Sequence, residues 1–331
     1  MTSYIFSGWY SPIISIFLTA MNFNFVLPKD YIRQFMLYKH HSTAHKIPSC
    51  KFTFKDLSNL VELCERQHAE CVKQLKDEIF SGQFTQEGFL VSDRPGTEQK
   101  IDANFKMIIE IFGDDGEYIN VLSLSEIKSK IDLPSKISKI CVNNSAMYEY
   151  FYRRKPSTHF NITIDFQVAE IFDLISAPSN STKNDSQISV TGLNSTLVHG
   201  MRGLLNNFFE SHKTHHGFIH FQNIYDILLW LGFFPLFLIY LYKFESNIPE
   251  FIKISPVVVQ VVTALIIFFI LALAFRLSFN LGRWLFPYME LAAQAAKLRS
   301  VFKALYSIIF TAVVGAIAVH FGTFLWESIV R

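Results

Sequence analysis

The chain has 331 residues, of which 50% are hydrophobic, and a formal net charge of +2. The near-neutral charge and the absence of any run of like charges argue against a nucleic-acid-binding protein, which normally carries a basic face. The hydrophobic residues are concentrated in the C-terminal third, which resembles a membrane protein more than a soluble domain.

Residues 1–28 carry no charge, and three interpretations of them stay open. They are short enough for a signal peptide, but no basic region precedes the apolar run. Residues 4–27 are long enough for an additional membrane span or an interfacial segment, although Ser, Thr and Asn interrupt them and Pro12 lies near their middle. Alternatively, Met21 is the true start and residues 1–20 are an upstream extension.

Residues 29–221 have the length and pattern of one soluble domain. Within it, residues 29–50 are basic and aromatic and are interpreted as a linker or surface segment. Apolar residues recur at helical spacing over 54–80 and predict an amphipathic helix that ends at Gly82. Residues 85–103 are polar and predict a loop.

From residue 104 onward the apolar period changes to two, which indicates β-strands. The sequence predicts a hairpin of strands 105–112 and 118–122 around the Gly113–Gly116 turn, and then a short helix capped by Ser123. Further strands are predicted at 137–142, 147–152, 159–167 and 188–191, and a helix at 195–212. Half-polar strands favour an antiparallel sheet with one covered face, so we expect an α+β domain whose two long helices cover that face.

Residues 222–331 are predicted to form a helical transmembrane region. Three apolar segments, 224–241, 256–275 and 304–326, each approach the 20 or so residues that cross a bilayer. Five Lys and Arg residues lie between the second and third segments, against two in the loop 242–255. The positive-inside rule therefore predicts that residues 276–303 and the soluble domain lie in the cytoplasm. Four cysteines without a CxxC motif fit free thiols in a reducing compartment.

Three histidines at spacing four, His212, His216 and His220, precede the first apolar segment. On a continuous helix they would share one face, which is a good spacing for zinc ligands. Gly217 interrupts that helix, so a pH-sensitive switch or plain interfacial residues are the alternatives.

A second group of candidate residues lies in or beside the predicted spans. Ionisable residues at membrane depth often mark a pathway, and Asp226 and Arg276 both fall near the cytoplasmic end of their helices. They would either pair there and fasten the helices together or extend separately to the membrane surface. Small residues allow close helix packing in the third span. The packing or pathway candidates are Asp226, Arg276, Ala312, Gly315, Ala316, His320 and Gly322. Residues 280–300 form an amphipathic stretch that would extend the second span or lie on the membrane.

No enzyme motif such as GxSxG, Walker A, GxGxxG or HExxH is present, so neither an enzyme nor a cofactor is expected. The favoured hypothesis is a membrane sensor or effector, in which the cytoplasmic domain receives an unknown ligand or protein partner. The domain would control an assembly of identical chains in the lipid bilayer that forms a pore or disrupts the membrane. The alternative is a membrane-anchored binding or scaffold module with inert spans.

Overall fold

The computed structural model describes residues 41–82, 92–123, 133–172, 178–244, 256–294 and 299–308, with residues 315 and 319. The interpretations of residues 1–28, the short helix predicted after Ser123 and most of the third predicted span lie outside these residues. The fold consists of a six-stranded sheet with covering helices, a second sheet of two short strands, one long apolar helix and a shorter one.

Eight strands are present among the described residues: β1 (His41–Lys46), β2 (Cys50–Phe52), β3 (Ile108–Gly113), β4 (Tyr118–Val121), β5 (Ile137–Asn143), β6 (His159–Asp165), β7 (Gln187–Gly192) and β8 (Met289–Leu291). The helices of the domain are α1 (Phe54–Phe80), α2 (Arg94–Asn104), α3 (Ala146–Tyr152) and α4 (Ser195–Ser211). The apolar helices that follow are α5 (Ile224–Ile227), α6 (Phe234–Phe244) and α7 (Val257–Leu285).

The large sheet is antiparallel, with strand order β1-β7-β6-β5-β3-β4. The predicted hairpin is confirmed, since β3 and β4 pair around a turn in which Gly116 has a positive φ of 86°. Phe160, Ile162 and Ile164 on the central strand β6 are all buried. The apolar side of β6 therefore faces the core, as predicted, although Thr163 and Asp165 on its other side are buried too.

The two long helices α1 and α4 share one core with this face of the sheet, which confirms the predicted arrangement. Cys71 on α1 and Met201 on α4 touch within that core, with 4.0 Å between their sulfur atoms. Helix α1 begins with a capping box between Thr53 and Asp56 and ends before Gly82, whose φ is +73°. The helix limits thus follow from local capping chemistry.

Three predictions about the domain are wrong, each for an identifiable reason. Residues 41–46, interpreted as part of a linker or surface segment, form the edge strand β1, whose polar side chains are mostly exposed. Residues 94–104, interpreted as loop, form α2, a mostly polar helix capped by Asp93. Residues 147–152, interpreted as a strand, belong to α3. The prediction failed because aromatic residues are typical of strands and a seven-residue helix is too short to show a helical period.

The first apolar segment is helical from residue 224 to residue 244, and its middle turn, Leu228–Phe233, is a π-helix. The amide of Phe234 donates to the carbonyl of Leu229, five residues back. Pro235 follows directly and has no N–H to give the Leu231 carbonyl, which accounts for a change of helical register at this point.

The second apolar segment is α7, which has 29 residues and is long and apolar enough to cross a membrane. It extends ten residues past the predicted end at 275, beyond Arg276. The first apolar segment is also helical, but its apolar part, Ile224–Ile239, is shorter. Residues 299–308, 315 and 319 are also helical. Most of the predicted third span lies outside the described residues, and its existence as a complete span therefore stays a prediction.

The two apolar segments pack against each other through aromatic rings. Phe233 lies 5.3 Å from Phe275 and 6.2 Å from Phe268, and Phe237 lies 5.3 Å from Phe268, measured between ring centroids. Their remaining surface is apolar and exposed, with Leu231 and Phe269 as examples. Exposed apolar surface of this extent is the mark of a lipid or protein interface.

Candidate functional site

The candidate site is the junction, defined here as residues 47–52, 178–186, 212–223 and 280–291. Strand register places Lys46, Asp165 and Gln187 at the same end of the large sheet. Residues 47–52 follow the end of β1, and residues 178–186 precede the start of β7, so both belong to the junction at this end. Both apolar segments therefore meet the domain at one end of its sheet.

Strand β2 is held between the chain entering the first apolar segment and the chain leaving the second. On one side the amide of Lys51 donates to the carbonyl of His212 over 3.0 Å, and the amide of Thr214 donates to the carbonyl of Ser49 over 2.8 Å. On the other side β2 pairs in parallel with β8, with Cys50 opposite Met289. Because α1 begins two residues after β2, the domain core and both apolar segments meet at one strand.

Arg283, near the end of α7, joins two further parts of the domain. Its Nε donates to the carbonyl of Ile219 over 3.0 Å, and its terminal nitrogen donates to the carbonyl of Asn180 over 2.9 Å. The guanidinium also lies 4.7 Å from the ring centroid of Phe279. A planar guanidinium has enough donors to satisfy two backbone carbonyls at once, which Lys does not do with fixed geometry.

His220 lies buried at the centre of the junction. Its Nε2 lies 2.7 Å from the carbonyl oxygen of Phe286, and its Nδ1 lies 2.8 Å from the hydroxyl of Thr182. Burial lowers the pKa of this imidazole to about 4 and outweighs the opposing hydrogen bond to Phe286. The histidine is therefore neutral at pH 7, with the Nε2 proton directed at Phe286 and Nδ1 accepting from Thr182.

Two further contacts fix the chain that leaves α7. The hydroxyl of Tyr288 donates to the carbonyl of Ile47 over 2.8 Å. The buried carboxylate of Glu290 on β8 pairs with Lys303, at 2.7 Å between Oε1 and Nζ. Residues 280–300 were expected to extend the span or to lie on the membrane. Residues 280–285 do extend the helix, and the chain that follows packs into the domain, with Met289 and Leu291 buried.

The structure does not bring the three predicted zinc ligands together on one helical face. Helix α4 ends at Ser211, and a separate 3₁₀-helix, His215–His220, carries the other two. His212 contacts Asp56 at 3.3 Å, and the His216 ring lies 5.0 Å from that of Phe286. Within the described part of the chain, no group of three His, Cys, Asp or Glu side chains has a geometry that would hold a metal ion.

The other predicted site residues have mixed outcomes. Asp226 accepts a hydrogen bond from the Ser179 hydroxyl over 2.8 Å, which fastens the start of the first apolar segment to the domain. Its pairing with Arg276 stays a prediction. Gly315 is exposed, and within the described part of the chain a Cβ added there would meet no neighbour within 4 Å. Three small residues of the third span and its histidine lie outside the described residues: Ala312, Ala316, Gly322 and His320.

A cavity of about 660 Å³ opens beside the junction. Its walls come from the turn after β3, from residues 166–172 and from Trp284 near the end of α7. Lys136 and Asp114, which form an ion pair, lie on one side, and Arg299 lies on the other. The guanidinium of Arg299 packs 5.1 Å from the centroid of the Trp284 ring.

The sequence did not identify Arg283, Tyr288 or Glu290 as contributors to the junction. One signal was available, because each is a polar residue within a stretch whose apolar neighbours predicted a helix or a membrane surface. Such a residue needs a buried partner or access to water. The chain matches no protein-family model, and no curated protein and no solved structure is significantly similar to it.

Proposed function

We propose that this protein is an integral membrane sensor or effector, in which a cytoplasmic α+β domain controls an assembly of transmembrane helices. The observation that supports it best is the position of β2 between the chain entering the first apolar segment and the chain leaving the second. A ligand or partner that displaces β2 would move both segments together. An inert anchor would need only one flexible connection.

The orientation is part of the proposal. Residues 280–291 pack into the domain, so the domain and the end of α7 lie on one side of any membrane that α7 crosses. The excess of Lys and Arg between residues 276 and 303 supports the cytoplasmic side. Cysteine labelling of intact cells tests this: label reaching a cysteine at Lys297 from outside would invert the topology.

The effector activity is proposed to require several copies of the chain, whose helices form a pore or perturb the bilayer. The exposed apolar surface of the two segments and the unfilled space at Gly315 leave room for helices of a second copy. Close approach of helices at small residues would stabilise such an assembly in lipid.

The deciding experiment is reconstitution of the full chain in liposomes, with measurement of dye release and of the number of copies per complex. Arg283→Gln removes the contacts of the guanidinium to Ile219 and Asn180 and should reduce release. Arg66→Gln, the same change at an exposed position of α1, is the matched control and should leave release unchanged. A wild-type chain that stays monomeric and releases no dye would favour the membrane-anchored scaffold instead.

A further inference from the structure

The exposed aromatic residues at the junction form a group that the proposed function does not use. Phe218 is 52% exposed and Phe221 is 59% exposed, although both lie within six residues of Ile224, where the first apolar segment begins. Phe172 is 78% exposed and follows Ile171, whose carbonyl accepts a hydrogen bond from Asn280 on α7 over 3.4 Å. We name these three residues the aromatic rim.

The 3₁₀-helix explains why two of these rings face outward. Residues three apart share a side of such a helix. Gly217 and His220 are buried against the domain, so Phe218 and Phe221 occupy the adjacent side and remain exposed. Asn223, with a positive φ of 66°, then turns the chain, and its amide donates to the carbonyl of Ser179 over 2.8 Å. The two rings are thus held at the point where the chain leaves the domain.

From this geometry we propose that the aromatic rim inserts into the headgroup region of the bilayer, so that the domain itself binds the lipid surface. The rim lies where both apolar segments meet the domain, and Ile227 and Leu228, at the start of the first apolar segment, are exposed as well. Single exposed apolar residues need no explanation, but a continuous apolar surface does.

Charge supports the same partner. Segment 212–223 has no carboxylate, and its one formally charged side chain is Lys213, which is exposed. Arg276 lies on α7, one turn before Asn280, and Lys303 lies beyond the junction, where it pairs with Glu290. Aromatic rings on a segment that carries a basic side chain and no acidic one suit an anionic lipid surface. This inference rests on the proposed membrane insertion of the two apolar segments.

The test is collision accessibility of spin labels on the full chain in phosphatidylcholine–phosphatidylglycerol nanodiscs. Single cysteines replace Phe218 or Phe221 in a Cys141→Ser background, because the other native cysteines are buried. Leu231→Cys, at a 77% exposed position of the first apolar segment, reports on insertion. Tyr150→Cys is the matched aqueous control, since Tyr150 is 68% exposed on α3, which follows β5 at the opposite end of the sheet.

Labels at 218, 221 and 231 should collide more often with oxygen than with a water-soluble nickel chelate, and the label at 150 should show the reverse. Lipid exposure at 231 together with water exposure at both 218 and 221 would overturn the rim while leaving membrane insertion intact. Few collisions with either reagent at 218 and 221 would mean that protein covers the rim, and this also overturns it. Water exposure at 231 would overturn insertion and the rim together.

Discussion

The core of the domain and the junction are stabilised by different kinds of contact. In the core, apolar side chains from α1, α4 and β6 pack against one another at regular spacing. In the junction, Arg283, His220 and Tyr288 bond to backbone oxygens of segments distant in sequence. The core determines that the domain folds, whereas the junction determines how the domain is joined to the apolar helices.

The largest expected effect tests the core alone. Phe160→Ala should lower the free energy of unfolding by about 3–5 kcal/mol, because it empties a fully buried site beneath both long helices. Chemical denaturation in detergent measures the change. Leu204→Ala, at an exposed position of α4, is the control and should change stability by well under 1 kcal/mol. Equal effects of the two substitutions would mean that the covered face of the sheet is assigned wrongly.

The second prediction concerns the junction. Arg283→Gln should cost about 2–3 kcal/mol, because the carbonyls of Ile219 and Asn180 lose charged donors in a buried place. Hydrogen exchange should accelerate at the nearby amides of Thr182 and Asn223, which donate within the junction.

Core amides are the internal reference for this experiment. Those of β5 and β6 should keep their protection in the Arg283→Gln chain, since no contact of Arg283 reaches these strands among the described residues. Uniform loss of protection across the domain would show that the junction and the core unfold as one unit.

Sequence patterns predicted the core well and the junction poorly, and the reason is physical. Burial of alternate residues on β6 or of a stripe on α1 is a local property that repeats along the chain, so periodicity reveals it. A bond from Arg283 to a carbonyl 103 residues away has no local signature. The same limit explains why β2 and β8, each three residues long, escaped prediction.

The histidine prediction shows a related limit. His212, His216 and His220 are four residues apart, but this spacing predicts a shared zinc-binding face only if they lie on one continuous helix. The structure interrupts that helix after Ser211 and buries His220 as a neutral hydrogen-bonding residue. The histidines do lie in the junction, but their chemistry is set by tertiary contacts.

The third prediction uses pH to separate the two regions. Burial lowers the pKa of His220 to about 4 from an ordinary value of 6.5, so the unfolded chain binds a proton more readily than the folded chain between these values. Stability is therefore fully present above pH 6.5 and falls as the pH decreases toward 4. At pH 5 the loss should be about 2 kcal/mol from this residue.

His68 in the core provides the comparison, because burial lowers its pKa to about 4 as well. Unfolding measured at pH 7 and pH 5 should show a smaller difference in both His220→Gln and His68→Gln. Hydrogen exchange at pH 5 then separates the regions, with Thr182 regaining protection only in His220→Gln. An unchanged pH dependence in His220→Gln would mean that this histidine is accessible to protons in the folded chain.

The smallest expected effect on the isolated chain comes from Gly315→Leu. Among the described residues nothing lies within 4 Å of the added Cβ position, so the described part of the fold has nothing to repack. A change in assembly would then come from another molecule that approaches this surface. Small residues permit close helix contact in lipid, and a leucine would force the helices apart.

Gly315→Leu should thus reduce the number of copies per complex and the dye release, with a change in unfolding free energy within about 0.5 kcal/mol. Ile309→Leu is the control, since a six-residue offset places it on a different face of a helix. If Gly315→Leu leaves assembly intact, the glycine faces lipid, and control by the domain would have to act within one chain. If assembly is lost while the Thr182 amide stays protected, the junction is intact in a chain that has no other copies bound to it. Assembly would then not be needed to form the junction, and an activating ligand would have to change the junction before the chains assemble.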